Sequence, residues 1–211
     1  MIPDRDKPKV REKLSRMDKP VTIVYFTQED ECLYCRETHE LLEDLAALSE
    51  RIKLEVYDFV ADADKAREYG VTKIPAMVML GDKDHGIRYF GVPAGYEFAG
   101  LLEDLVMVSN RDSGLSKTSR ARLKALNQPL HLQVFVTPTC PYCPGVVRLA
   151  HQFALESDHV TGDMVEATEF PELSNRYAVM GVPKTMVNEI PAVEGMVGED
   201  DFLEAVLTAI E

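Results

Sequence analysis

The chain has 211 residues, with 23 Lys and Arg against 36 Asp and Glu, a net charge of −13. That balance excludes nucleic acid as the main partner, because phosphate binding needs a basic surface, and no apolar run approaches the ~18 residues of a membrane span. Hydrophobic residues at 45% suffice for a sizeable core, so the chain is not disordered, and its length fits one or two domains.

The first twenty residues are charged and lack the apolar core of a secretory signal, which points to the cytoplasm. Val10, Leu14 and Met17 share one helical face. Val21–Phe26 (VTIVYF) is a β-rich run leading to Cys32-Leu-Tyr-Cys35. Leu41, Leu42, Leu45 and Leu48 then recur at helical spacing, Ile52–Phe59 reads as a strand, and a short helix leads to Ile74-Pro75. Ala76–Leu80 opens a hairpin turning at Gly81-Asp82, and Gly95–Val108 closes the half as a helix. The polar, Gly-containing stretch Ser109–Ser119 is the boundary, dividing the chain into 1–113 and 114–211.

The second half repeats this order. Leu115, Ala121, Leu123 and Leu126 form an approximate helical face, and Leu132–Val136 leads to Cys140-Pro-Tyr-Cys143. Val146, Val147, Ala150, Phe153 and Ala154 mark a helix, Val160–Ala167 a strand, and a short helix precedes Val182-Pro183. Lys184–Val187 turns near Asn188-Glu189, and Glu199–Ile210 closes the chain. Each half is β-α-β-α-β-β-α. Cys32 and Cys140, Cys35 and Cys143, and Pro75 and Pro183 all stand 108 residues apart, which is a tandem duplication.

Four cysteines are too few for a disulfide-stapled scaffold. Two pairs with the Cys-x-x-Cys spacing read as redox pairs or as halves of a zinc site. Cys35 and Cys140 lie 105 residues apart, far beyond the ~15–20 of compact zinc ribbons, and zinc leaves the matched prolines unexplained. The redox reading has a physical basis. A sulfur at the start of a helix faces free N–H groups and the positive end of the macrodipole, which favour thiolate, the attacking species. The second cysteine, one turn on, can resolve a mixed disulfide. Pro141 and Pro144 fit the first helical turn, where their missing N–H groups cost little.

These residues resemble thioredoxin-fold oxidoreductases, above all the two-domain, glutaredoxin-like protein disulfide oxidoreductase family. Cys140-Pro-Tyr-Cys143 is a motif that glutaredoxins also carry. The resemblance spans nearly the whole chain and implies an α/β fold of two tandem thioredoxin-like domains, each a central mixed sheet flanked by helices. It implies cis peptide bonds before Pro75 and Pro183, and exchange on protein disulfides without metal or organic cofactor. It also implies a separate thioredoxin-reductase-like flavoprotein as electron donor. Cys32 and Cys140 would attack and Cys35 and Cys143 resolve, while the backbone of Ile74-Pro75 and Val182-Pro183 would hold an extended substrate as a short added strand.

Two alternatives stand beside it. One is an electron-transfer protein that feeds a peroxidase, since similar paired folds occur at the N-terminus of a flavin-dependent peroxiredoxin reductase in which one half has lost its cysteines. Both pairs are intact here and the chain ends at Glu211, which favours the separate oxidoreductase. The other is a chaperone-like binding module. One departure from thioredoxins matters: they carry a buried Asp six residues before the first cysteine, where this chain has Phe26 and Val134. A carboxylate serving either pair must come from elsewhere. The two sites also differ in charge, with Glu29-Asp30-Glu31 before Cys32 and uncharged Thr137-Pro138-Thr139 before Cys140. Thiolate is therefore expected to form more readily at Cys140.

Overall fold

The computed structural model describes residues 2–210. The first half runs α1 (Lys7–Leu14), β1 (Val21–Thr27), α2 (Cys35–Ala46), β2 (Ile52–Asp58), α3 (Ala63–Glu68), β3 (Ala76–Leu80), β4 (Asp84–Phe90) and α4 (Tyr96–Asn110). The second runs α5 (Lys117–Lys124), β5 (Leu130–Val136), α6 (Cys143–Glu156), β6 (Val160–Glu166), α7 (Pro171–Arg176), β7 (Lys184–Val187), β8 (Ile190–Glu194) and α8 (Glu199–Thr208). The expected order of elements is present in both halves. Among the described residues no helix is long and apolar enough to cross a membrane.

Each half contributes four strands to a mixed sheet, and the two sheets are continuous. The strand order is β2-β1-β3-β4-β6-β5-β7-β8. The join is a parallel pairing of β4 with β6, in register Ile87↔Gly162, Arg88↔Asp163, Tyr89↔Met164 and Phe90↔Val165. Pairing β4 to β6 satisfies backbone groups that two separate sheets would leave on open edges.

Alternation along the strands sorts two cores. Ile23 and Tyr25 of β1, Ile87 and Tyr89 of β4, Leu132 and Val134 of β5 and Met164 of β6 face one core, together with Leu42 of α2, Leu105 of α4, Ala150 of α6 and Phe202 of α8. Val24, Phe26, Phe90, Phe135 and Val165 face the other, where α3 supplies Ala66 and the chain after α7 supplies Tyr177. Helices α3 and α7 have six residues each, so that second face is incompletely covered.

Two details differ from the sequence reading, and a third adds to it. The 108-residue offset slips in the first strand: Phe26 pairs with Ala76, but Phe135 pairs with Lys184. The structural counterpart of Phe26 is therefore Phe135, and the loop before Cys32 holds one extra residue, with Glu31 in the left-handed region at φ 57°. Second, α2 and α6 begin at the second cysteine of each pair, so Pro141 precedes the helix and only Pro144 lies in its first turn. Third, the polar boundary stretch is pinned down. Ser109, Ser113 and Ser119 are buried, Ser113 Oγ donates to Glu156, and Gln152 Nε2 donates to the Ser113 carbonyl at 2.5 Å.

The seam between the halves depends on Gly86. Its φ is +80°, and a Cβ there would lie 2.6 Å from the Val160 carbonyl oxygen. Gly86→Ala combines left-handed strain with a clash against backbone. It should lower the unfolding free energy by about 2–4 kcal/mol in urea titration, whereas Gly198→Ala, where a Cβ meets nothing within 4 Å, should change it little.

Candidate active sites

Both Cys-x-x-Cys pairs sit where a strand hands over to a helix, and both are disulfide-bonded, Cys32 to Cys35 and Cys140 to Cys143. In each pair the first cysteine is the more accessible. Cys32 is half-buried against 1% exposure for Cys35, and Cys140 is 8% exposed against 0% for Cys143. The peptide bonds Ile74-Pro75 and Val182-Pro183 are cis. The two prolines are fixed alike: Gly91 N–H donates to the Pro75 carbonyl at 2.9 Å, and Gly195 N–H to the Pro183 carbonyl at 2.8 Å.

The second site is the more fully defined. Cys143 N–H donates to Cys140 Sγ at 3.1 Å, so the first amide of α6 already faces that sulfur. The Val182 carbonyl oxygen lies 3.8 Å from the same Sγ. Tyr142 on the rim is exposed, as are Met180 and Met196. At the first site Tyr25 Oη donates to the Cys35 carbonyl at 2.6 Å, and burial pushes the Tyr25 phenol up to about 12. Leu33 and the Glu29–Glu31 carboxylates are exposed there, so solvent and salt screen those charges.

Sequence reasoning left the buried carboxylate unplaced. The fold brings one to the second site from the first half. Helix α4 starts against the loop that precedes Cys140: Tyr96 N–H donates to the Pro138 carbonyl at 3.1 Å. Only glycine fits just before it, because a Cβ on Gly95, at φ +61°, would lie 2.1 Å from that carbonyl. One turn into α4, a Cβ on Gly100 would touch both Pro144, at 3.6 Å, and Glu97 Oε2, at 3.7 Å. Glu97 and the residue after Cys143 thus flank one point. Glu97 is 1% exposed, and neither carboxyl oxygen has a hydrogen-bond partner. Burial, reinforced by the Asp104 charge, pushes Glu97 up to about 8. Asp104 Oδ2 is held by Tyr89 Oη and His151 Nδ1, each at 2.5 Å. His151 is fully buried on α6 and braces Asp104 rather than a cysteine.

On the other sheet face, a cleft of about 980 Å³ opens between α3 and α7. Arg88, Asp163 and Gln133 form a row across its floor in register on β4, β6 and β5. Glu169, Lys73, Phe90 and Phe170 stand among its walls.

Two families match parts of the chain: residues 130–208 match the thioredoxin domain, and residues 7–92 a domain of unknown function (DUF7088). The whole chain superimposes on a protein disulfide oxidoreductase from Aeropyrum pernix with a TM-score of 0.93 and 33% identity, covering 98% of this chain and 93% of that one. It also superimposes on the alkylhydroperoxide reductase AhpF from Enterococcus faecalis, with a TM-score of 0.90 and 26% identity over 97% and 99% of the two chains. The same component of the Pseudomonas putida alkyl hydroperoxide reductase is 26% identical over 197 residues, which is 93% of this chain and 36% of that protein. This chain spans about a third of the length of the curated relatives it matches.

Fold and cysteine pairs together define a thioredoxin-fold disulfide oxidoreductase, an enzyme of thiol–disulfide exchange with two disulfide-forming pairs. Given 33% identity across nearly the full length of the Aeropyrum pernix protein, the chain belongs to the protein disulfide oxidoreductase family.

The buried Glu97 has a measurable consequence for stability. Folded, it keeps its proton up to about pH 8, whereas a glutamate at its ordinary value loses it near 4.5. Between those values the folded chain binds more protons than the unfolded one, so stability falls as pH rises through the interval. Glu97→Gln should remove that decline. In thermal unfolding the variant should gain on the parent steadily from pH 5 to pH 8.5; a difference independent of pH would contradict the raised affinity.

Proposed function

We propose that the chain exchanges disulfides in protein substrates, with Cys32 and Cys140 attacking, Cys35 and Cys143 resolving, and residues 1–113 and 114–211 acting as two thioredoxin-like units. The observation that carries the reading is the environment of Cys140. It is the more accessible member of its pair, its sulfur accepts the leading N–H of α6, and the Val182 carbonyl stands beside it. An amide aimed at the sulfur favours thiolate, and edge groups at Val182-Pro183 suit an extended polypeptide.

The cycle follows from these positions. The Cys140 thiolate attacks one sulfur of a substrate disulfide, forming a mixed disulfide and releasing the other sulfur as thiolate. Cys143 then loses its proton, attacks Cys140 Sγ and frees the reduced substrate. Glu97, buried, unpartnered and next to Pro144, is suited to take that proton in its ionised form, whose population grows as pH rises toward 8. Ile74-Pro75 plays the same part at Cys32/Cys35 as Val182-Pro183 at the second pair. The residues that precede each first cysteine favour the second pair near neutral pH, since Thr137-Pro138-Thr139 carries no charge where Glu29-Asp30-Glu31 carries three carboxylates. A cytoplasmic, thioredoxin-reductase-like flavoprotein closes the cycle by reducing Cys140–Cys143.

Trapping tests the roles. Cys143→Ser should accumulate a mixed disulfide with substrate through Cys140, while Cys140→Ser should trap none through Cys143. In dithiothreitol-driven insulin reduction at pH 7, Cys140→Ser should lose most of the turnover, roughly tenfold, and Cys32→Ser less than half. The reverse pattern would overturn the ranking of the sites.

A second reading rests on the likeness to the alkylhydroperoxide reductase AhpF. In it the chain passes electrons from a flavoprotein to a peroxidase. The reduced protein, mixed in stoichiometric amount with an oxidised two-cysteine peroxidase, should then reduce it within seconds and at least a hundredfold faster than it reduces insulin. Equal rates favour the general exchange reading.

A further inference from the structure

The two halves meet along β4 and β6, and one carboxylate of that seam is not used by the cycle above. Glu169, in the loop between β6 and α7, belongs to the second half but attaches to the first. Its Oε1 accepts Val92 N–H at 2.7 Å. The preceding amide, Gly91 N–H, donates to the Pro75 carbonyl. Glu169 is therefore bonded to the same backbone segment that fixes the cis proline of the first site. The approach requires glycine: at Gly91, φ +94°, a Cβ would lie 2.9 Å from Glu169 Oε1 and 2.6 Å from Glu166 Cβ.

Its other oxygen, Oε2, is buried without a hydrogen-bond partner. The residue also lines the cleft between α3 and α7, which gives it a route to water. The groups whose charge it feels or affects lie on three elements: Glu166 at the end of β6, Glu37 on α2 and Tyr25 on β1. Two of these adjoin the first site, since Glu37 is two residues beyond Cys35 and Tyr25 Oη bonds the Cys35 carbonyl. Lys73 and Arg88 share the cleft, but Lys73 stacks over Phe90 and Arg88 is bound to Asp84.

We propose that Glu169 is the proton-holding group of the Cys32/Cys35 pair, supplied across the domain seam by the second half. This rests on the reading that the first pair exchanges disulfides. In the mixed disulfide between Cys32 and substrate, the Cys35 thiol passes its proton to the Glu169 carboxylate. The Cys35 thiolate attacks Cys32 Sγ, the Cys32–Cys35 bond forms and the bond to substrate breaks. The substrate sulfur leaves as thiolate and regains a proton from Glu169 or from water in the cleft. The substrate disulfide gains two electrons and the cysteine pair loses two. Burial outweighs the Val92 hydrogen bond, and the charges of Glu166 and Glu37 add to it, so Glu169 is pushed up to about 7 and can both take and return a proton near neutrality.

The test uses the full chain carrying Cys140→Ser and Cys143→Ser, so that only the first pair reports. Two quantities are followed from pH 5.5 to 9.5: the rate of reduction of a small aromatic disulfide, and the reduction potential of Cys32–Cys35 in a thiol–disulfide buffer. Glu169→Gln should slow the rate about tenfold at pH 7 but little at pH 9.5, where Cys35 ionises without help. It should also erase an inflection near pH 7 in the potential, and Glu169→Asp should restore part of both. The same substitution in a Cys32→Ser, Cys35→Ser chain should leave the profile of the second pair unchanged. An unmoved inflection, or an equal change at both pairs, would overturn the assignment. The potential is read whether or not the pair turns over. A first pair without exchange activity would thus count against the function proposed for it, while Glu169 would still be judged by the inflection.

Discussion

The parallel pairing of β4 with β6 is the constraint from which the rest of this structure follows. It turns two four-stranded sheets into one, and in doing so fixes where each half's helices stand against the other. Helix α4 packs on α6 because their strands are neighbours, and Gly162 lets α6 lie close on β6: a Cβ there would lie 2.8 Å from the Ala150 carbonyl. Had the halves been joined only by a flexible linker, each site would have been a self-contained thioredoxin-like site. Here both are bordered by residues from the opposite half.

The consequence is electrostatic. A carboxylate buried without a partner costs stability in its charged form, so it keeps its proton to a higher pH. Two such groups sit at the seam. Glu97 reaches from the first half to the second site, and Glu169 from the second half to the backbone beside the first. Their settings are not equal. Glu97 has both oxygens free and is pushed further up by Asp104, which Tyr89 and His151 hold in place. Glu169 spends one oxygen on Val92 and borders an open cleft. Burial thus raises both carboxylates, in settings that differ in hydrogen bonding and in access to the cleft.

Much of this was legible beforehand. Alternating and helical periodicity located the strands and helices to within a few residues, because each element buries one face. The cysteine and proline spacing exposed the duplication, since the reacting groups and the turn beside them tolerate no slippage. The loop before Cys32 does tolerate it, and there the offset broke by one residue, which moved the counterpart of Phe26 from Val134 to Phe135. The polar boundary stretch carries more than its composition declares: Ser109, Ser113 and Ser119 are buried and have partners.

By itself the sequence determined the two redox pairs, the two prolines, the tandem order of elements and the family these imply, because all of that chemistry is local and declares itself by spacing. Only the tertiary structure decided which carboxylates attend the sites. Glu97 and Glu169 are two among 36 acidic residues, and nothing in their neighbours along the chain sets them apart. Burial does, and burial was decided by the pairing of β4 with β6, a contact between strands separated by some seventy residues.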